Sequence, residues 1–106
     1  MKIIRNKIIP FKGFKAINVC GILFVREDAY IDEKTMNHES IHTAQMKELL
    51  FVFFYVLYIV EWIIRLLIQG NAYRNISFEK EAYRYQDNKE YLKGRKRYAW
   101  IKVIFV

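Results

Sequence analysis

The chain has 106 residues, 54% of them hydrophobic and 27% charged, with a formal net charge of +7. That length accommodates one domain, residues 1–106, which buries roughly two-thirds of its unfolded surface and leaves no room for a separate cofactor module. The apolar content excludes a disordered chain, and a single cysteine, Cys20, excludes an internal disulfide scaffold.

Residues 1–27 are basic and rich in β-branched and aromatic side chains. Arg5, Lys7, Pro10 and Lys12 interrupt any apolar run long enough for a signal peptide, which places the protein in the cytoplasm or on the cytoplasmic side of a membrane. FKAINVCGILFVR, residues 14–26, reads as two short strands around Gly21, a β-hairpin. Cys20 lies in that apolar stretch and reads as a small core residue rather than a ligand. Residues 27–35 form a loop, after which Thr35 or Asn37 can cap a helix starting near Met36.

Residues 36–69 contain neither glycine nor proline, so one long helix or two abutting ones occupy them, ended by Gly70-Asn71. Within this span LLFVFFYVLYIV, residues 49–60, is apolar on every face. Residues 49–68 reach the ~20 residues of a membrane span. Their two charges, Glu61 and Arg65, are spaced four apart to pair. Such a helix is inserted in a membrane, buried by a partner copy, or wrapped by the rest of the domain. Ser77 is suited to cap a further helix running to about Lys93, with Glu79 and Glu81 in its first turn. Gly94 and the run Arg95-Lys96-Arg97 break it, and the apolar tail, residues 98–106, follows. Basic residues gather in 2–15 and 93–97, which fits attraction to anionic lipid. Aromatics are not interleaved with them as a nucleic-acid stacking platform requires, so no nucleic acid is expected as a partner. The fold class expected is α+β: an N-terminal β-hairpin, then mainly helices, among them a long apolar one.

The segment that carries chemistry is His38-Glu39-Ser40-Ile41-His42, the pattern H-E-x-x-H on a predicted helix. Residues four apart share a helix face, so both imidazoles can reach one ion. Glu39 lies about 100° around the axis, near the ion but not bound to it, where it can hold an attacking water. These are the only two histidines in the chain, so a third protein ligand must be a carboxylate. Phe78-Glu79-Lys80-Glu81-Ala82-Tyr83 offers two. Both glutamates flank an apolar stripe of Phe78, Ala82 and Tyr85, and helix geometry alone leaves the choice between them open.

HESIH followed by a helix bearing FEKEAY resembles the gluzincins, zinc peptidases with a glutamate ligand on the helix after the H-E-x-x-H helix. It is similar in particular to the single-domain minigluzincins and to the heat-shock and CAAX-processing membrane proteases, whose second motif reads Glu-x-x-Ala-Asp. The resemblance covers residues 37–86. It implies a Zn2+ cofactor held by His38, His42 and Glu79, with Glu39 as general base, acting on a peptide or protein substrate. Tyr83 stands where those membrane proteases have aspartate, and there it can donate to a developing oxyanion; Tyr73, Tyr85 and Arg84 are further candidates. The strand over residues 22–26 is expected to offer an edge for substrate. The reading extends to membrane association through residues 49–68, to a homo-oligomer, and to latency if residues 98–106 cover the cleft. The competing reading is a non-catalytic membrane-associated or interaction module with a structural or vestigial metal site.

Overall fold

The computed structural model describes residues 2–9, 15–68 and 70–104. Pro10, Lys12, Phe14, Gln69 and the last two residues of the tail lie outside it.

Three strands, β1 (Lys2–Asn6), β2 (Ala16–Val19) and β3 (Ile22–Arg26), form one sheet in the order β1-β3-β2. The hairpin is present as β2 and β3, paired antiparallel from Ala16↔Val25 to Val19↔Ile22. Its two-residue turn needs a positive φ at both central positions, and Cys20 and Gly21 adopt 52° and 86°. A Cβ on Gly21 would also come within 3.3 Å of Thr43 Cγ2. Cys20 is therefore an exposed turn residue, not a core one; a strand reading cannot see which residue the turn takes. β1, unforeseen as a strand, pairs parallel with the other side of β3. With neighbours on both sides β3 is the central strand, which corrects the expectation that it offers a free edge. β1 and β2 are the two edge strands. On β3 the alternating Leu23 and Val25 are fully buried, as the period of two requires.

Among the described residues five helices follow: α1 (Glu33–Glu48), α2 (Val52–Leu66), α3 (Ala72–Asn75), α4 (Ser77–Tyr85) and α5 (Tyr91–Gly94), then a 3-10 turn over Ala99–Val103. The cap of α1 is Asp32, which accepts from the Thr35 N–H at 2.8 Å, so the helix starts earlier than Thr35 or Asn37 would allow. Residues 36–68 fall in two helices bent by 110°, and among the described residues there is no single long apolar helix. Leu50 and Phe51 both take positive φ, 52° and 62°, at the break. Non-glycine residues in that region cost roughly 1–2 kcal/mol each, and packing of α2 offsets the cost. The bend lays Phe54 and Tyr58 of α2 against Phe78 of α4, with ring centroids 4.8 and 6.3 Å apart. Met46, Phe54, Ile76 and Phe78 form the buried cluster there.

The helix expected from Ser77 to about Lys93 divides into α4 and α5. Ser77 is its first residue rather than its cap. The cap comes from a distance: Glu61 accepts from Ser77 N and from its Oγ, both at 2.7 Å. Glu61 and Arg65 are thus engaged separately, because Arg65 Nη2 donates to the Ile104 carbonyl at 2.7 Å. The tail packs Trp100 on Phe78, 4.8 Å between centroids, and buries Val103. Arg95, in the basic run, is buried rather than solvated; its guanidinium contacts Glu81 at 2.5 Å and Glu48 at 2.8 Å.

Candidate metal centre

Residues 38, 42 and 45 recur at helical spacing, so α1 presents His38, His42 and Gln45 on one face, toward α4. All three are buried, as are Glu79 and Glu81 of α4. Asn37 ties the two helices together, its Nδ2 lying 2.8 to 3.2 Å from the carbonyls of Tyr85, Gln86 and Asn88.

Glu79 is the glutamate that meets the histidines. Its Oε1 lies 3.2 Å from His38 Nε2 and 3.0 Å from His42 Nε2, and the two nitrogens are 3.1 Å apart. Three ligands at about 2.0–2.1 Å from one tetrahedral ion are separated by about 3.3–3.4 Å. The triangle is therefore of the size such an ion needs, and the group His38, His42 and Glu79 can hold a metal ion.

The chemistry of the donors agrees. Both amide hydrogens of Gln45 are committed, to the Phe78 carbonyl at 3.0 Å and Glu81 Oε1 at 2.9 Å. Its oxygen must then face His42 Nδ1 at 2.9 Å, and that nitrogen must donate. Neutral His42 consequently turns the Nε2 lone pair into the triangle. His38 Nδ1 likewise donates to the Gln86 amide oxygen at 2.8 Å. Tyr58 donates to Glu79 Oε2 at 2.7 Å and leaves Oε1 for the triangle. Partners of this kind fix the orientation and tautomer of metal ligands.

Without a metal, a proton takes its place. Burial opposes the His42 imidazolium, but the Glu79 carboxylate outweighs it and pushes the pKa from 6.5 up to about 9. Burial opposes the Glu79 carboxylate as well, yet His42, with hydrogen bonds from His38 and Tyr58, holds it well below the usual carboxylate range. Because the folded His42 pKa is raised, its contribution to metal-free stability is complete below pH 6.5 and is lost as pH rises through about 9. Metal binding runs the other way, since the ion must displace that proton. The apparent affinity should rise about tenfold per pH unit up to about pH 9 and level off above it. Competition titration against a chromophoric chelator over that range measures the slope, and a flat profile would show that His42 is not a ligand.

A cavity of about 300 Å³ adjoins the triangle, lined among others by Glu39, His42, Glu79, Tyr58 and Tyr73, and by Ala16, Ile17 and Asn18 of β2. Asn18 Nδ2 donates to the Glu39 carbonyl and to Thr43 Oγ1, both at 3.1 Å, which holds β2 alongside the histidine helix. Glu39 is half-buried, at the cavity and outside the donor triangle. Tyr83 is placed edge-on to His38, 4.6 Å between ring centroids, with the Arg74 guanidinium carbon over its ring, 4.1 Å from the centroid, and it is not in the cavity lining. Tyr85 stacks on Tyr91, and Arg84 is exposed. Among the oxyanion candidates Tyr73 lines the cavity; burial and the Glu79 charge raise its pKa, so its hydroxyl keeps its proton. Tail residues 98–104 do not line the cavity, so the described tail does not cover the cleft.

Glu81 is buried too, but its partners are Arg95, Tyr91 and Gln45. Sequence reasoning missed Gln45, Gln86, Tyr58 and Arg95. Gln45 had a signal, three residues beyond His42 on the same face; the other three come from elements whose packing nothing local announces.

No protein-family profile, curated protein or solved structure matches this chain.

Proposed function

We propose that the protein is a zinc-dependent peptidase of the gluzincin type, with His38, His42 and Glu79 as metal ligands and Glu39 as general base. The observation that carries this reading is the convergence of three donor atoms within 3.2 Å of one another, beside a cavity lined by the glutamate that follows the first histidine. Two imidazoles and one carboxylate with a fourth position free are the ligand set of catalytic zinc sites. When bound, such an ion supplies Lewis acidity to a carbonyl and to a water molecule.

The chain's own residues do the rest. Glu39 accepts the proton of the attacking water and passes it to the leaving amine. Tyr73 donates to the oxyanion that develops on the scissile carbonyl, the role first read for Tyr83. An extended peptide pairs with the outer side of β2, an edge strand that borders the cavity where β3 does not. Met46, Phe54 and Tyr55 line the cavity as well, so bulky apolar side chains are the favoured residues next to the bond cleaved.

The test is metal analysis and peptide hydrolysis on purified protein beside His42→Ala. About one equivalent of zinc is expected in the wild type and none in the variant. Hydrolysis of a quenched fluorescent peptide with apolar residues at its centre should stop on chelation and return with zinc. Wild-type protein that takes up no zinc overturns the proposal, and zinc uptake without any hydrolysis favours the binding-module reading.

A further inference from the structure

The apolar segment that the sequence singled out is not covered by the fold. Thirteen large apolar residues between Leu50 and Ile68 are 39 to 85% exposed. Scattered exposed apolar residues are ordinary, whereas a contiguous patch marks an interaction site. At 100° per residue, the exposed positions of α2 sweep an arc of roughly 220°. The inward stripe is Phe54, Tyr58, Glu61 and Arg65, spaced four, three and four apart. Both charges of the helix lie on that stripe and are bonded inside the domain, Glu61 to Ser77 and Arg65 to Ile104. The outward arc of α2 carries no charge, so the helix is apolar outside and polar inside.

We infer that the outer face of α2 seats the protein on a lipid bilayer with anionic headgroups, the helix lying in the plane of the interface. Three observations favour lipid over a second copy of the chain. The arc is about twice the ~100° stripe that a helix presents to a packed protein neighbour, and a fluid apolar medium can surround it. Among its exposed residues only Trp62 carries a hydrogen-bonding group, the indole N–H, whereas protein interfaces carry about one hydrogen bond per 100–200 Å². The charge at its ends is mainly basic: exposed Lys47 precedes it, and at the other end Lys80 lies within electrostatic reach of Arg65 and of exposed Arg84, with Glu61 the acid among them. The acid beside it, Glu48, is turned inward onto Arg95. Among the described residues no single helix is long and apolar enough to cross a membrane. The 15 residues of α2 measure about 22 Å against ~30 Å of hydrocarbon, a length suited to lying at the surface. Phe54 and Tyr58 line the cavity from the opposite side of the same helix, so the bilayer and the candidate metal centre lie on opposite sides of α2.

Flotation of the purified protein with vesicles tests this independently of any peptidase activity, because bound protein rises and aggregate sinks. With phosphatidylcholine–phosphatidylserine vesicles the wild type should float, and with phosphatidylcholine alone the bound fraction should fall several-fold. Val56→Glu with Ile63→Glu, both on the exposed arc, should cut flotation about tenfold or more while leaving the circular dichroism spectrum unchanged. Phe53→Glu with Val60→Glu provides a second pair on the same arc. Wild type that stays down with both vesicles overturns the inference, and a soluble dimer broken by the same substitutions assigns the face to a second copy. Variants that float as well as the wild type also overturn it.

Discussion

Replacing Glu39 by glutamine is expected to lower peptide turnover by about 10²–10⁴-fold and leave the metal content unchanged. Glutamine keeps the size of the side chain and removes its capacity to take a proton. Glu39 sits at the cavity beside the triangle His38, His42 and Glu79 without belonging to it. Its charge reaches His42, contributing to the raised pKa of that imidazole, so the carboxylate is close enough to act at the same place as the ion. Its backbone carbonyl is held by Asn18, which ties Glu39 to β2, the edge strand where the proposed peptide would lie. The measurement is kcat/KM for a fluorogenic peptide together with zinc stoichiometry. An unchanged rate would remove the general-base role; loss of metal would instead make Glu39 a ligand or a packing residue.

Arg95→Met should destabilise the fold by about 3–5 kcal/mol at neutral pH, because it strands buried carboxylates. The Arg95 side chain is 5% exposed, and its partners Glu81 and Glu48 are 0% and 7% exposed. A domain of this size has only about 5–15 kcal/mol in total, so the change is severe. Burial pushes the Glu81 carboxyl up, but hydrogen bonds from Arg95, Tyr91 and Gln45 hold it below the usual carboxylate value of 4.5. That depressed pKa contributes stability present above pH 4.5 and lost as the pH falls below it. In the variant Glu81 can be buried neutral once protonated, so the deficit should shrink in acid. Urea unfolding of both proteins at pH 7 and near pH 4.5 reads the difference, and a deficit independent of pH would show that lost packing, not stranded charge, is responsible. The same substitution removes Arg95 from Glu81, the carboxylate that holds Gln45 behind His42, and a drop of 10–100-fold in metal affinity is expected through that chain.

These two sites differ in how far the chain announces them. His38, Glu39 and His42 lie within five residues of one helix, and α-helical periodicity alone places both imidazoles on one face. The hairpin around Gly21 was legible for a similar reason: a turn is a local event, and its backbone requirement is written in one or two residues. What exceeded local rules was every choice that depends on a neighbour. Glu79 and Glu81 are equivalent in helix geometry; the crossing of α4 over α1 gives Glu79 to the histidines and Glu81 to Gln45 and Arg95. The break at Leu50 and Phe51 has no glycine or proline to mark it, and the packing of Phe54 and Tyr58 on Phe78 is what holds it.

The order of strands belongs to the same class. No pattern in residues 2–6 states that β1 pairs with β3 and so leaves β2 as the edge at the cavity. By itself, then, the order of amino acids determined the two imidazoles, the adjacent glutamate and an apolar segment too large to be hidden without help. Tertiary structure alone decided which carboxylate completes the donor set, which edge strand borders the cavity, and that both charges of the apolar segment turn inward. Spacing along one helix is a property of covalent geometry, whereas contacts between elements depend on how all of them pack at once.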